Sequence, residues 1–433
     1  MSPIVTGLVG IAVLLLFLAC GMPIGFAMIL LGFAGFSYLV NLSGAFHILA
    51  KVPYVAISNY DFCVIPLFFL MASICLTTGF GTSLFKLVYT WIGRIPGGLS
   101  MATVGACAMF AAASASTIAT ALTIGKVAIP EMKAYKYDNR LACGCVAAGG
   151  TLGILIPPSG ILIVYGIITE QSIAKLFIGG IIPGVILALI FMALTFVWAR
   201  LNPAIAPTGP STSFREKLAA IGESTEMVLL LLLVIVGLIV GWFTPTEAGA
   251  AGAFGAIVLS LIRRRLNLER FKEAFIDTLY GAGMVFTILV GALIFNSFLA
   301  VSTIPMELAN WVAGLGLPPV MIMALILLVY LVLGCFIDAF SMVLLTIPIF
   351  FPVVTALGFN PIWFGVIVVL VVEIALITPP VGMNVYVIWG ITRDVPMETI
   401  FRGILPFLAA LILFIIFLVA FPQIILFLPG LMS

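Results

Sequence analysis

Long apolar segments, divided by short polar or proline–glycine breaks, run along almost the whole chain. A helix needs about 20 apolar residues to cross a bilayer. The pattern predicts crossings near Ile4–Cys20, Pro23–Val40, Phe62–Ser83, Leu141–Ile167, Leu176–Ala199, Met227–Trp242, Ala248–Ile262, Gly281–Thr303, Trp363–Trp389 and Ile404–Phe427. Leu99–Pro130 and Pro318–Pro352 are each too long for one crossing and too short for two. Each is interrupted at its middle, by Ala113–Thr117 and by Cys335–Ser341. Both predict a re-entrant hairpin that enters and leaves on one side.

The punctuation repeats. Pro96, Pro130, Pro157, Pro158 and Gly160 recur as Pro318, Pro352, Pro379, Pro380 and Gly382, each 222 positions later. The double prolines lie inside apolar segments (GILIPPSG, 153–160, and ALITPPVG, 375–382), where they break a helix and free backbone carbonyls. A duplicated membrane unit with one broken helix per copy predicts a secondary transporter whose site lies where the breaks meet.

Loop charge orients the copies. Lys86 and Arg94 precede the first hairpin, and Lys126, Lys133, Lys136 and Arg140 follow it, which puts both its ends in the cytoplasm. Between Asn310 and Asn360 the only charged residue is Asp338. The two copies are therefore expected to face opposite ways. Arg200, Arg215 and Lys217 mark a cytoplasmic linker, and a short excursion through Trp242–Glu247 returns to Arg263–Arg265, read as topogenic and lipid-facing. Leu266–Leu279 is amphipathic and predicts a surface helix, with Gly44–Ser58 as its mate on the opposite face.

Composition removes the soluble alternatives. Of 433 residues 64% are hydrophobic and only 8% charged, with a mean hydropathy of +1.36; soluble domains carry about a quarter charged residues. Strand-like alternation is absent, which argues against a β-barrel. A net charge of +2 with no basic domain gives nucleic acid nowhere to bind. His47 is the single histidine, so His-based metal or triad chemistry is excluded, and Cys143 and Cys145 read as small buried thiols. No nucleotide-binding loop is present, so energy has to come from an ion gradient and the chain is not an enzyme. The first apolar segment lacks a basic leader and reads as a retained span.

The candidate site follows from the breaks. Unwound carbonyls suit a hard monovalent cation, and helix N-termini suit an anionic group. The candidates for substrate are Ser114 and Ser116 at the first tip, Thr151 and Ser159 around the first break, Asp338 at the second tip and Asn384 past the second break. Thr378 precedes Pro379 and Pro380 there. Glu373 is a rare intramembrane acid, open between a structural pairing and a role in coupling. Glu247, in a Thr-Pro-Thr-Glu turn, reads as a helix-start acid.

At these residues the chain resembles the large membrane subunit of the tripartite ATP-independent periplasmic (TRAP) transporters. The matching segments are GMPIGF (21–26), IPEM (129–132) with Tyr137 and Asp138, GTLGILIPPS (150–159), FTPTEA (243–248), LGFNP (357–361) and LITPPVGMN (376–384). The resemblance implies an all-α polytopic protein of the bacterial or archaeal inner membrane, an inverted-repeat elevator-type transporter with two re-entrant hairpins and two broken helices. It implies scaffold spans and an arm helix over 1–60, a first repeat over 61–200 (hairpin 99–130, broken helix 141–167), a linker with further scaffold over 201–265, and an arm helix with the second repeat over 266–433 (hairpin 318–352, broken helix 363–390). It further implies uptake of a small organic acid (C4-dicarboxylate, keto acid, sugar acid or sialic acid) driven by Na+ with no organic cofactor. A small four-span membrane subunit and a periplasmic substrate-binding protein are the implied partners. The implied sodium ligands are Ser114, Gly153, Ile156 and Pro158 in one half, and Gly334, Ala375, Thr378 and Val381 in the other. Ala115 and Ile154 stand where Gly and Pro are common in the family. A self-sufficient sodium–carboxylate symporter of related fold is the alternative.

Overall fold

The computed structural model describes residues 1–209, 212–314, 316–335, 337–379 and 382–432. Among these every regular element is helical. Eight helices are long and apolar enough to cross a membrane, and six shorter apolar ones accompany them.

The 222-residue period returns in three dimensions. The first hairpin is Gly98–Ser114 with Thr117–Ala134, and the second is Pro319–Gly334 with Ala339–Ala356. The first broken helix is Asn139–Leu155 followed by Gly160–Ile168; its counterpart is Pro361–Ile377 followed by Met383–Ile391. Thr117–Ala134 and Ala339–Ala356 have the same length, as do Asn139–Leu155 and Pro361–Ile377. Caps set these starts. Ser116 accepts from Ala119 N and Asp338 from Ser341 N; Asp138 accepts from Arg140 N and Asn360 from Ile362 N.

The two broken helices run antiparallel. Tyr165, on the far half of the first, donates to the Pro361 carbonyl at the start of the second (2.6 Å). At the opposite end Lys133, just before the first, pairs with Asp394, just after the second (2.6 Å). Between these ends the Asn384 amide donates to the Ala147 carbonyl (3.0 Å). The repeats are therefore inverted with respect to each other. Ala, Gly and Cys dominate Asn139–Leu155, and small side chains let the first hairpin and Met397–Ala420 approach its backbone closely.

Around this core stands a framework in which Ile24–Leu39 and Val64–Thr77 pack along Leu268–Val301, and Pro245–Ile262 packs on Val64–Thr77. Two expectations change here. Phe62–Ser83 is not one span: it ends at Thr77, turns through Gly79 (φ +76°) and restarts as Phe80–Ile92. Leu266–Leu279 is not a separate surface helix but the first part of the continuous Leu268–Val301. In its mate, Leu42–Ser58, Asn59 ends the helix by accepting from Asp61 N; at the matching place Gly281 and Ala282 carry no competing side chain, so the helix continues. Arg263 and Arg265, read as lipid-facing, are also tied to groups of the chain itself. Arg263 pairs with Glu226 and donates to the Gly222 carbonyl, while Arg265 donates to Ser83 Oγ (3.2 Å). Glu247 does start its helix, in a reciprocal capping box with Thr244.

Candidate functional site

At the first tip the chain turns through Ala115 in the left-handed region (φ +48°). The turn folds Ser114 inward: its buried Oγ lies 2.6 Å from Thr120 Oγ1 and donates to the Ser116 carbonyl (3.2 Å), which Thr120 also reaches (2.8 Å). This knot of hydroxyls and one carbonyl sits directly on Gly153. A Cβ there would lie 2.7 Å from the Ser116 carbonyl oxygen and 2.9 Å from Thr120 Oγ1. Four residues beyond Gly153 and Ile154 stand Pro157 and Pro158, which have no N–H to give those carbonyls. The break thus supplies unclaimed carbonyl oxygens beside the hydroxyls.

The second tip has different chemistry. Asp338 caps Ala339–Ala356, accepting from Ser341 N (3.1 Å) and from the Ser341 hydroxyl. Gly334 packs against Ala375 on the broken helix. Tip and break enclose a cavity of about 160 Å³ lined by Gly334, Cys335, Ile337, Asp338, Ala375 and Gly382, among others. Pro379 has no N–H for the Ala375 carbonyl, which instead receives a long bond from Thr378 N (3.4 Å). Thr378 Oγ1 donates back to the Ile374 carbonyl (2.6 Å), and among the described residues nothing donates to it.

The two tips converge on the first break. A Cβ on Gly160 would meet the Phe340 ring of the second hairpin (2.9 Å) and lie 3.8 Å from the Ala115 carbonyl of the first. Ser159 caps Gly160–Ile168 from within this junction and is fully buried. Asn384, also fully buried, bonds Ala147 through its amide nitrogen and leaves Oδ1 without a partner among the described residues.

The structure thus gathers Ser114, Ser116 and Gly153 in one seat, and Gly334, Asp338 and Ala375 in the other, with Thr378 at the rim of the second. Thr151 is deeply buried, and its hydroxyl proton goes to the Ala148 carbonyl of its own helix (2.7 Å). Ile156 turns its side chain away, toward Gly184 on Ile173–Leu201, and Pro158 faces Phe177 and Val234. Those two can serve the site only through backbone. Val381 and Pro380 lie outside the described residues. Thr120 was missed; its signal was the four-residue spacing from Ser116, which puts its hydroxyl under the tip carbonyl. Glu373 is completely buried with both oxygens unpartnered among the described residues, so the structural-pairing reading finds no partner there.

A family model described as the tripartite ATP-independent periplasmic transporter, DctM component, matches residues 11–424. The chain belongs to this family. As a DctM-family permease it is a multi-pass membrane transporter subunit. It is 36% identical over 402 residues to the C4-dicarboxylate TRAP transporter large permease protein DctM of Pseudomonas aeruginosa, covering 90% of this chain and 93% of that one. It is 32% identical to the sialic acid TRAP transporter large permease protein SiaM of Vibrio cholerae, covering 96% of both. With the isethionate TRAP transporter permease protein DctMQ of Oleidesulfovibrio alaskensis it shares 31% identity, over 96% of this chain and 65% of that one. The crystal structure of the Alcanivorax borkumensis YdaH transporter superposes with a TM-score of 0.62 over 88% of this chain and 89% of that one; at 15% identity this is a likeness of fold alone.

Proposed function

We propose that this DctM-family permease imports a small organic anion by sodium symport, as an elevator in which the hairpins and broken helices move against the framework. The observation that carries the reading is the pairing of each hairpin tip with a proline-broken helix. Each pairing sets hydroxyl or carboxylate oxygens beside carbonyls that proline deprives of their regular helical donor, which is the chemistry of a dehydrated sodium ion at membrane depth. The junction at Gly160, where the Ser159-capped N-terminus of Gly160–Ile168 meets both hairpin tips, is the proposed place for the anionic substrate, with Asn384 as a second candidate nearer Ala147. The relatives are named for C4-dicarboxylate, sialic acid and isethionate, all anions at neutral pH, and this supports the substrate class without choosing within it. The reading includes a bacterial or archaeal inner membrane, a small four-span membrane subunit and a periplasmic substrate-binding protein.

Proteoliposomes holding this chain with its small subunit test the reading. An inward sodium gradient plus the loaded binding protein is expected to drive uptake. Equal uptake with potassium in place of sodium would reject the coupling. Undiminished uptake without the binding protein would reject dependence on it and favour a self-sufficient sodium–carboxylate symporter.

A further inference from the structure

Two buried side-chain oxygens of the core, Thr117 Oγ1 and Asn384 Oδ1, have no hydrogen-bond partner among the described residues. A threonine inside a helix usually returns its proton to the carbonyl four residues back, as Thr103, Thr120 and Thr346 do at 2.7–2.8 Å. Thr117 opens Thr117–Ala134, just after the left-handed turn at Ala115, so no turn of its own helix lies behind it. Its donor is unspent. Asn384 gives its amide nitrogen to the Ala147 carbonyl, and its oxygen accepts nothing.

Packing brings the two to one level. A Cβ on Gly150 would meet Ala121 (2.8 Å) and the Asn384 amide nitrogen (3.3 Å), and one on Gly125 would meet Ile391 (2.8 Å) and Ile388 (3.3 Å). Thr117–Ala134 and Met383–Ile391 therefore run parallel, with their starts together. Thr117 lies one turn before Ala121 on the same helix face, toward the start of Met383–Ile391. Counting 222 positions on from Thr117 gives Ala339, and 222 back from Asn384 gives Leu162. An apolar pair thus serves in the other half, where Asp338 and Ser159 cap both helix starts and Phe340 packs on Gly160. The fold does not require the polar pair.

We propose that Thr117 and Asn384 hold a hydroxyl group of the substrate, which is therefore a hydroxylated organic acid. This rests on the organic-anion reading above and chooses within it. Two helix starts favour oxygen lone pairs here, and Thr117 can donate to a hydroxyl or a carboxylate alike. Asn384 decides between them: its oxygen needs a donor, which a hydroxyl carries and a carboxylate lacks. A substrate without the hydroxyl leaves both groups buried and unpaired. The anionic end remains at the Gly160 junction. Thr117 is two residues from Ala115, whose carbonyl lies 3.8 Å from a Cβ on Gly160, so one small molecule reaches both places.

The test is binding calorimetry on the purified chain with its small subunit, in detergent and sodium, without the binding protein. The probes are malate against succinate, isethionate against ethanesulfonate, and sialic acid. The hydroxylated member of a pair is expected to bind about ten-fold tighter than its partner. Thr117→Val and Asn384→Leu should each weaken the hydroxylated probe several-fold while sparing the partner, and Thr117→Ser should restore it. Equal affinity within a pair overturns the inference. So do variants that leave the hydroxylated probe unchanged or weaken both members alike. No binding by any probe would reject the organic-anion reading itself, and this inference with it.

Discussion

In the first repeat the hairpin tip closes on the broken helix through neutral hydroxyls and leaves no room at Gly153; in the second, the tip is capped by a carboxylate and encloses a cavity. The register makes the contrast sharp, because Ser116 and Asp338 occupy equivalent positions and both cap the returning helix. Each seat uses one glycine for close approach, on opposite partners: Gly153 on the broken helix in the first, Gly334 on the hairpin in the second. Duplication preserved the path of the chain, while capping chemistry and the placement of small residues diverged. On the proposed sodium reading, two structurally equivalent places would hold the cation with different affinity.

The harshest way to break this comparison is to fill the glycine seats. Gly153→Ala pushes a methyl against backbone at Ser116, an overpacking of about 1–3 kcal/mol, and should lower uptake by about ten-fold or more at matched membrane expression. Gly334→Ala should do the same. If uptake survives both, the tips do not seat on the breaks as described.

Removing oxygens is gentler. Ser114→Ala with Thr120→Val should raise the sodium concentration for half-maximal uptake several-fold, and Thr378→Val by less, because its backbone remains in place. Sodium activation curves identical to wild type for both variants would assign the seats to structure alone.

Much of this was legible in the sequence. The prolines and the 222-residue period reveal both hairpins and both breaks, because proline acts locally and lipid forbids unsatisfied backbone; loop charge alone gave their inversion. Whether the polar break at 58–61 and the gapless run at 280–283 end a helix depends on weak local competition, so the separate second surface helix was lost. Thr151 looked functional by position, yet a threonine hydroxyl that can reach back to its own helix leaves no trace in sequence. The ties of Arg263 and Arg265 to Glu226 and Ser83 left no trace in sequence because those partners are distant in the chain.

Smaller effects sharpen the contrast. Ala115 holds φ +48°, and Thr303, between Leu268–Val301 and Ile304–Gly314, holds φ +61°, where the first repeat has Gly79. Replacing either by glycine should relieve about 1 kcal/mol of left-handed strain, seen as a small rise in melting temperature. A fall in both would remove the strain argument. Smallest of all is a pH effect. Arg140 hydrogen-bonds the Asp138 carboxylate and holds it below the usual carboxylate range. Its folded pKa lies below its unfolded one, so the stabilisation is present above about 3.9 and is lost as pH falls through the folded value. Asp138→Asn, which copies Asn360 of the second repeat, should flatten the acid side of a melting-temperature profile. An unchanged acid limb would show that the pair contributes nothing.

The central claim, that both seats bind the coupling ion, is tested most directly by the steepness of sodium activation in proteoliposomes. Wild-type uptake should rise sigmoidally with sodium, and Ser114→Ala with Thr120→Val should flatten the curve toward a hyperbola as the first seat drops out. A hyperbolic wild-type curve, or steepness unaltered by that variant, would contradict it.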